Sequence, residues 1–137
     1  MKRLFFYSFV FLLLLGCSKD DDCPAPIPPT YQVQGYYVGK YGSGVNEPNS
    51  GFSMVVEADG KMMVADGASL SIASKASGTY TLVGNVFKAT YTYNTPGGST
   101  FSIQANYDSS TGKFTSGTWG SGANYTGSGT WFMDRKN

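Results

Sequence analysis

Past residue 30 the chain alternates between apolar and polar side chains. In VFKATYTYN, residues 86–94, Phe87, Ala89, Tyr91 and Tyr93 stand against Lys88, Thr90 and Thr92. In FSIQANYD, residues 101–108, Phe101, Ile103, Ala105 and Tyr107 stand against Ser102, Gln104, Asn106 and Asp108. A period of two with one apolar face predicts half-buried antiparallel strands. Between such runs come Asp59-Gly60, Asp66-Gly67, Gly84-Asn85, Pro96-Gly97-Gly98 and DSSTG at 108–112. Asp, Asn and Gly tolerate the positive φ of tight hairpins, so each marks a reversal. The turns divide the chain into eight strands, near 33–41, 51–58, 61–66, 78–84, 86–94, 99–108, 113–120 and 125–135. Helix signals are nearly absent, and only GASLSIASKAS, 67–77, leaves room for a short turn or loop. The fold class is therefore all-β. Eight short strands joined by hairpins predict an antiparallel up-and-down barrel, because closure removes two edges that would otherwise pair with other chains. A two-sheet β-sandwich is the alternative, since alternation does not say whether the first and last strands meet.

The tetrapeptide SGTW occurs twice, at 116–119 and 128–131, and SGTY at 77–80 is a near copy. A hairpin centred on Asn124 pairs 119 with 129 and 117 with 131, setting each tryptophan across from the other motif's glycine. A ring laid over a strand glycine covers backbone that the glycine leaves bare. Gly117 and Gly129 are thus structural positions, with Trp119 and Trp131 on one face. A weaker form of the same packing is expected at Gly78 and Tyr80.

The first thirty residues break the pattern. MKR is followed by an uncharged stretch of thirteen residues, Leu4 to Gly16, and then by Cys17. A charged start and a short apolar run read as a secretory signal, since a spanning helix needs about 20 apolar residues. After Cys17 come SKDDD, Cys23 and PAPIPP, a charged and proline-rich stretch too polar to fold on itself, which reads as an extended stalk. The organisation expected is a signal peptide at 1–16, an anchor and stalk at 17–30, and a barrel domain at 31–137. LLGC resembles the lipobox of bacterial lipoproteins. That resemblance implies cleavage before Cys17, acylation of this residue by palmitate-class chains, and a partner in the membrane itself. The acids behind Cys17 are similar to the surface-export signal of Bacteroidetes-type lipoproteins, which implies a domain on the outer face of the outer membrane. An ordinary signal peptide and a plain hydrophilic spacer are the alternatives.

The barrel segment itself resembles the calycins, the lipocalin and avidin group, in two short motifs. QGYYVG places Gly35 and Tyr37 where that group carries Gly-x-Trp, and WFMDRK supplies Arg135, the one arginine beyond the leader. The resemblance implies a barrel in which Arg135 packs over the Tyr37 ring.

Charge and composition narrow the chemistry. Lys2 and Arg3 account for two of the ten cations, leaving eight against nine acids in the rest of the chain. Such a balance gives no basic stripe for nucleic acid. The chain holds no histidine, which removes His-based triads and the commonest metal ligand. Its two cysteines are Cys17 and Cys23, and once the first is acylated no internal disulfide is possible. Asp59, Asp66 and Asp108 fall at turns, where a carboxylate ordinarily caps backbone N–H groups. Glu57 and Asp59 could share a strand face in the manner of a glycosidase pair, but they flank the solvent-facing turn EADGK. No cofactor or metal site is expected, and the protein reads as a non-enzyme.

Aromatic and hydroxyl groups are what remain. Tyr37, Tyr91, Tyr93, Trp119 and Trp131 are the candidate lining of a pocket at the barrel mouth, for a small apolar molecule or a glycan. The competing account is a barrel filled by its own side chains. A second functional class is an adhesin-like or envelope-structural module acting through its outer faces, such as Thr90-Thr92 and Ser102-Gln104-Asn106.

Overall fold

The computed structural model describes residues 32–71 and 75–136. The expected leader, Cys17, Cys23 and the stalk lie outside the described residues. Eight strands follow in order: β1 Gly35–Ser43, β2 Ser50–Val56, β3 Lys61–Ala65, β4 Lys75–Val83, β5 Val86–Tyr93, β6 Thr100–Asp108, β7 Lys113–Ser121 and β8 Gly129–Lys136. Each pairs antiparallel with the next, and β1 pairs with β8 from Tyr36↔Lys136 to Ser43↔Gly129. The sheet closes into an up-and-down barrel, a form compatible with a calycin-like architecture, and the sandwich alternative does not apply.

Alternation decides what fills the barrel. Phe87, Ala89 and Tyr91 of β5 and Ile103, Ala105 and Tyr107 of β6 point inward and are buried. Tyr37, Met54, Val64, Phe114 and Met133 complete the buried interior from the other strands. Each fully buried side chain of this size contributes roughly 1.5–3 kcal/mol, so the packed interior is the main source of stability.

One strand breaks the period of two. Phe114 and Trp119 are five residues apart, which on a regular strand puts them on opposite faces. Both face inward because β7 carries an extra residue around Ser116, whose φ is +52°. The register shifts there against both neighbours, between Gln104 and Asn106 of β6 and between Phe114 and Gly117 opposite β8. This β-bulge resets the parity, so Phe114 joins the core and Trp119 faces the interior above it.

Two boundaries differ from the sequence expectation by more than a residue or two. Strand β4 begins at Lys75, inside the segment read as loop, because its first residues pair with Ala65 and Tyr93 on either side. Strand β8 begins at Gly129 instead of 125, because the residues before it form the turn of the β7–β8 connection. The connection after β7 turns at Gly122 and Gly127, both at positive φ, and folds back over the outer face of the sheet. There Gly122 O accepts from Ser102 Oγ at 2.7 Å, Tyr125 O accepts from Thr118 Oγ1 at 2.8 Å, and the Tyr125 ring lies under Lys88.

The two ends of the barrel are finished differently. At the end where β1 starts, the chain before the strand forms a plug with Val33 buried. The Tyr37 hydroxyl donates to Val33 O at 2.7 Å, and the Tyr107 hydroxyl donates to Gln32 O at 2.9 Å. Arg135 donates to Gln32 O at 2.7 Å, and its guanidinium carbon lies 5.8 Å from the centre of the Tyr37 ring. Gly35 makes room for this arrangement, since a Cβ there would stand 2.7 Å from that guanidinium carbon. Burial, and then the adjacent Tyr107 hydroxyl, push the Tyr37 hydroxyl far above the usual tyrosine range. At the other end, where the β1–β2, β3–β4, β5–β6 and β7–β8 connections gather, the interior is open.

A candidate ligand cavity at the barrel mouth

The open end holds a cavity of about 420 Å³, lined chiefly by Tyr41, Phe52, Tyr91, Tyr93, Phe101 and Trp119, with Ile103 and Trp131 reaching it from the core and Asp66 at its edge. Its volume lies within the range of roughly 300–1,000 Å³ typical of small-molecule sites. These residues come from six strands, with Asp66 just after β3. Tyr41 stands opposite Trp131 across the β1–β8 seam, Tyr91 opposite Phe101 between β5 and β6, and Trp119 opposite Ile103 between β6 and β7. Closure of the sheet therefore assembles the site.

The rings form a continuous belt. Tyr93 meets Phe101 at 5.9 Å and 88°, Phe101 meets Trp119 at 5.7 Å and 68°, and Trp119 meets Tyr41 at 6.2 Å and 86°. Tyr41 continues to Phe52 at 5.7 Å, and Phe52 to Trp131 at 6.1 Å. Edge-to-face pairs at these separations are attractive beyond the area they bury, so the belt holds itself in place. Both indole N–H groups are already engaged: Trp119 Nε1 donates to Gly42 O and Trp131 Nε1 to Thr118 O, each at 2.9 Å. The tryptophans thus offer the cavity no donors.

The repeated SGTW sets this geometry. Gly117 pairs with Trp131 and Trp119 with Gly129, the register of a hairpin centred on Asn124. A Cβ on Gly117 would stand 2.6 and 2.7 Å from two atoms of the Trp131 indole, and one on Gly129 would stand 2.5 Å from Trp119 Nε1. Each glycine clears the path of the other motif's ring. The near copy at 77–80 is different. Gly78 faces Tyr91 of β5, while Tyr80 stands opposite Ala89 and stacks on Phe87 at 5.4 Å, so this hairpin has no reciprocal pair.

Of the five residues expected to line a pocket, four come together here: Tyr91, Tyr93, Trp119 and Trp131. Tyr37 does not. It points inward on β1 as Tyr41 does, but four residues nearer the closed end, where it is fully buried in the plug. Asp66 also departs from its expected part as a turn cap. Its carboxylate accepts a hydrogen bond of 2.6 Å from the Tyr93 hydroxyl at the cavity edge. The chain just beyond it crosses the outer face of β1 and β2, where the Tyr36 hydroxyl donates to Ala68 O at 3.1 Å and a Cβ on Gly51 would touch the Gly67 and Ala68 backbone. Burial, followed by the Asp66 carboxylate, raises the hydroxyls of Tyr91 and Tyr93 far above the usual range, so both are neutral donors.

Asp59 and Asp108 keep to turns, while Asp134 sits on β8 and pairs with Lys113 at 3.3 Å. Asp59 accepts from the Lys61 N–H at 3.1 Å and pairs with the Lys61 ammonium, which lowers its pKa. Asp108 accepts from Ser110 and Thr111, and these bonds hold its carboxyl at about 2. Among the described residues no three of His, Cys, Asp and Glu gather as a metal site. The outward hydroxyls that an adhesin-like surface would use are largely spent on one another, Thr90 with Ser102 and Thr92 with Thr100, each at 2.8 Å. Tyr41, Phe52, Phe101 and Asp66 were missed as a set, because nothing local to each residue reports its height along the barrel. Compared with protein-family models, with curated proteins and with solved structures, the chain matches none.

Proposed function

We propose that this protein is a non-enzymatic, lipid-anchored component of the cell envelope that takes a small, largely apolar molecule into the mouth of its barrel. The observation that carries the reading is the belt of rings around the cavity, with Ser43, Thr95 and Ser99 among the residues at its wall. A glycan chain fits less well than a small molecule. The rings meet edge to face inside the mouth and do not present the broad exposed platform on which a sugar stacks.

The placement rests on the sequence before residue 31, with Cys17 as the acylated residue and the acidic, proline-rich stretch as the spacer. Gln32, the first described residue, lies at the closed end, opposite the cavity. Metabolic labelling with palmitate, present in the wild type and lost in Cys17→Ala, reports the anchor.

The cavity is tested by titrating the chain from Ser18 onward with small neutral aromatic and aliphatic molecules and, separately, with monosaccharides. The expected result is a saturable change in tryptophan emission with the apolar molecules, weakened in Trp119→Leu. A folded sample whose emission none of them alters would sink the proposal.

A further inference from the structure

We infer that the ligand of this cavity is an organic cation, an ammonium group carrying an apolar substituent, held by the ring belt and the Asp66 carboxylate. The inference rests on the reading of the cavity as a ligand site and adds the charge of what it takes.

The lining side chains include one formal charge, that of Asp66, and no lysine or arginine. Its carboxylate is held in place by the Tyr93 hydroxyl at 2.6 Å, so the negative charge is fixed at the edge of the ring belt. The rings point the same way. Tyr41, Tyr91, Tyr93, Phe101 and Trp119 surround the space, and an aromatic face attracts a cation through its quadrupole, most strongly where the cation is desolvated. With both indole N–H groups bound to backbone carbonyls, the tryptophans have no remaining donor with which to favour an anion or a carbonyl oxygen. A neutral apolar molecule would bury its surface here equally well but would gain nothing from the carboxylate. An anionic one would face the Asp66 carboxylate with no lysine or arginine in the lining to offset the repulsion. A trimethylammonium group satisfies the rings and the carboxylate together, without hydrogen bonds of its own.

The test compares two molecules of nearly the same shape, benzyltrimethylammonium and its neutral carbon isostere neopentylbenzene, by tryptophan emission on the chain from Ser18 onward. The cation should bind about tenfold more tightly, or better, as expected of a few favourable ring contacts plus a carboxylate. In Asp66→Asn, which keeps the acceptor and removes the charge, the ratio of the two dissociation constants should fall several-fold, with circular dichroism confirming the fold. Raising the ionic strength of the wild type should weaken the cation more than the isostere, a second reading that needs no variant. Equal binding of the two molecules overturns the inference and leaves the cavity as a site for neutral ligands. A preference that survives both Asp66→Asn and high salt removes the carboxylate from the site and overturns the inference in the form given. If neither molecule binds, the cavity reading and the inference fall together.

Discussion

Replacing Gly117 with alanine adds one carbon at the most crowded point of the β7–β8 hairpin. That carbon would stand 2.4 Å from Trp131 O and 2.6 and 2.7 Å from the indole atoms Cδ2 and Cε2, where ordinary contact begins near 3.4 Å. The ring would have to retreat by most of an ångström, and it has little room to do so. Trp131 is 2% exposed, its Nε1 is bound to Thr118 O, and its faces meet Phe52 and Phe114 at 6.1 and 5.7 Å. Overpacking of a filled core costs about 1–3 kcal/mol, against which the stiffer unfolded chain of an alanine variant returns roughly 0.4–1. The net expected loss is about 1–2 kcal/mol, which lowers Tm by roughly 5–15 °C in a domain of this size. Thermal unfolding followed by far-ultraviolet circular dichroism measures it. In a Trp131→Leu background the ring part of the clash is gone and the cost of Gly117→Ala should shrink, which a double-mutant cycle reads directly. A Gly117→Ala protein as stable as the wild type, or a cost unchanged in the Trp131→Leu background, would refute the claim that this glycine exists to clear the indole.

Two further predictions concern pH. Tyr37, Tyr91 and Tyr93 have hydroxyls raised by burial, so their neutral forms belong to the fold. Their contribution is complete below the unfolded tyrosine value of about 10 and declines as pH rises above it, because the unfolded chain ionises first. A spectrophotometric titration near 295 nm should show these three failing to ionise with the other tyrosines until the barrel unfolds, and simultaneous ionisation in the folded protein would contradict their burial. Asp108 has the opposite sign: its pKa is lowered to about 2 from an ordinary value of 3.8 by bonds from Ser110 and Thr111. Asp108→Ala should therefore be less stable than the wild type at neutral pH, with the gap closing as pH falls from about 4 towards 2. A gap in Tm that stays constant over that interval would mean the turn does not depend on the carboxylate.

Much of this protein was legible in its residues. Alternation in 86–94 and 101–108 named the inward faces of β5 and β6, and the Asp, Asn and Gly turns counted eight strands. The SGTW repeat gave the β7–β8 register, because a hairpin turn and two residue pairs are local quantities within about sixteen residues of chain. Likewise Gly35, Tyr37 and Arg135 were read as neighbours, and the guanidinium lies over the ring.

What the pattern could not express was height. A period of two says which side of the sheet a residue faces and is silent on where along the barrel axis it lies. Tyr37 and Tyr41 share the inner face of β1 at a separation of roughly 13 Å along the strand, so one belongs to the plug and the other to the mouth. Only the stagger of strands around the closed sheet assigns those heights, and it is a property of the whole ring of pairings. The same holds for Asp66, which meets Tyr93 from the end of β3 across β4, and for the bulge at Ser116 that turned Trp119 inward. The sequence by itself determined an all-β chain of eight hairpin-linked strands and the inward rings of β5 and β6. Tertiary closure decided which inward residues meet the plug at one end and which ring the mouth at the other, because it is the closed sheet, through its stagger, that sorts inward residues into layers.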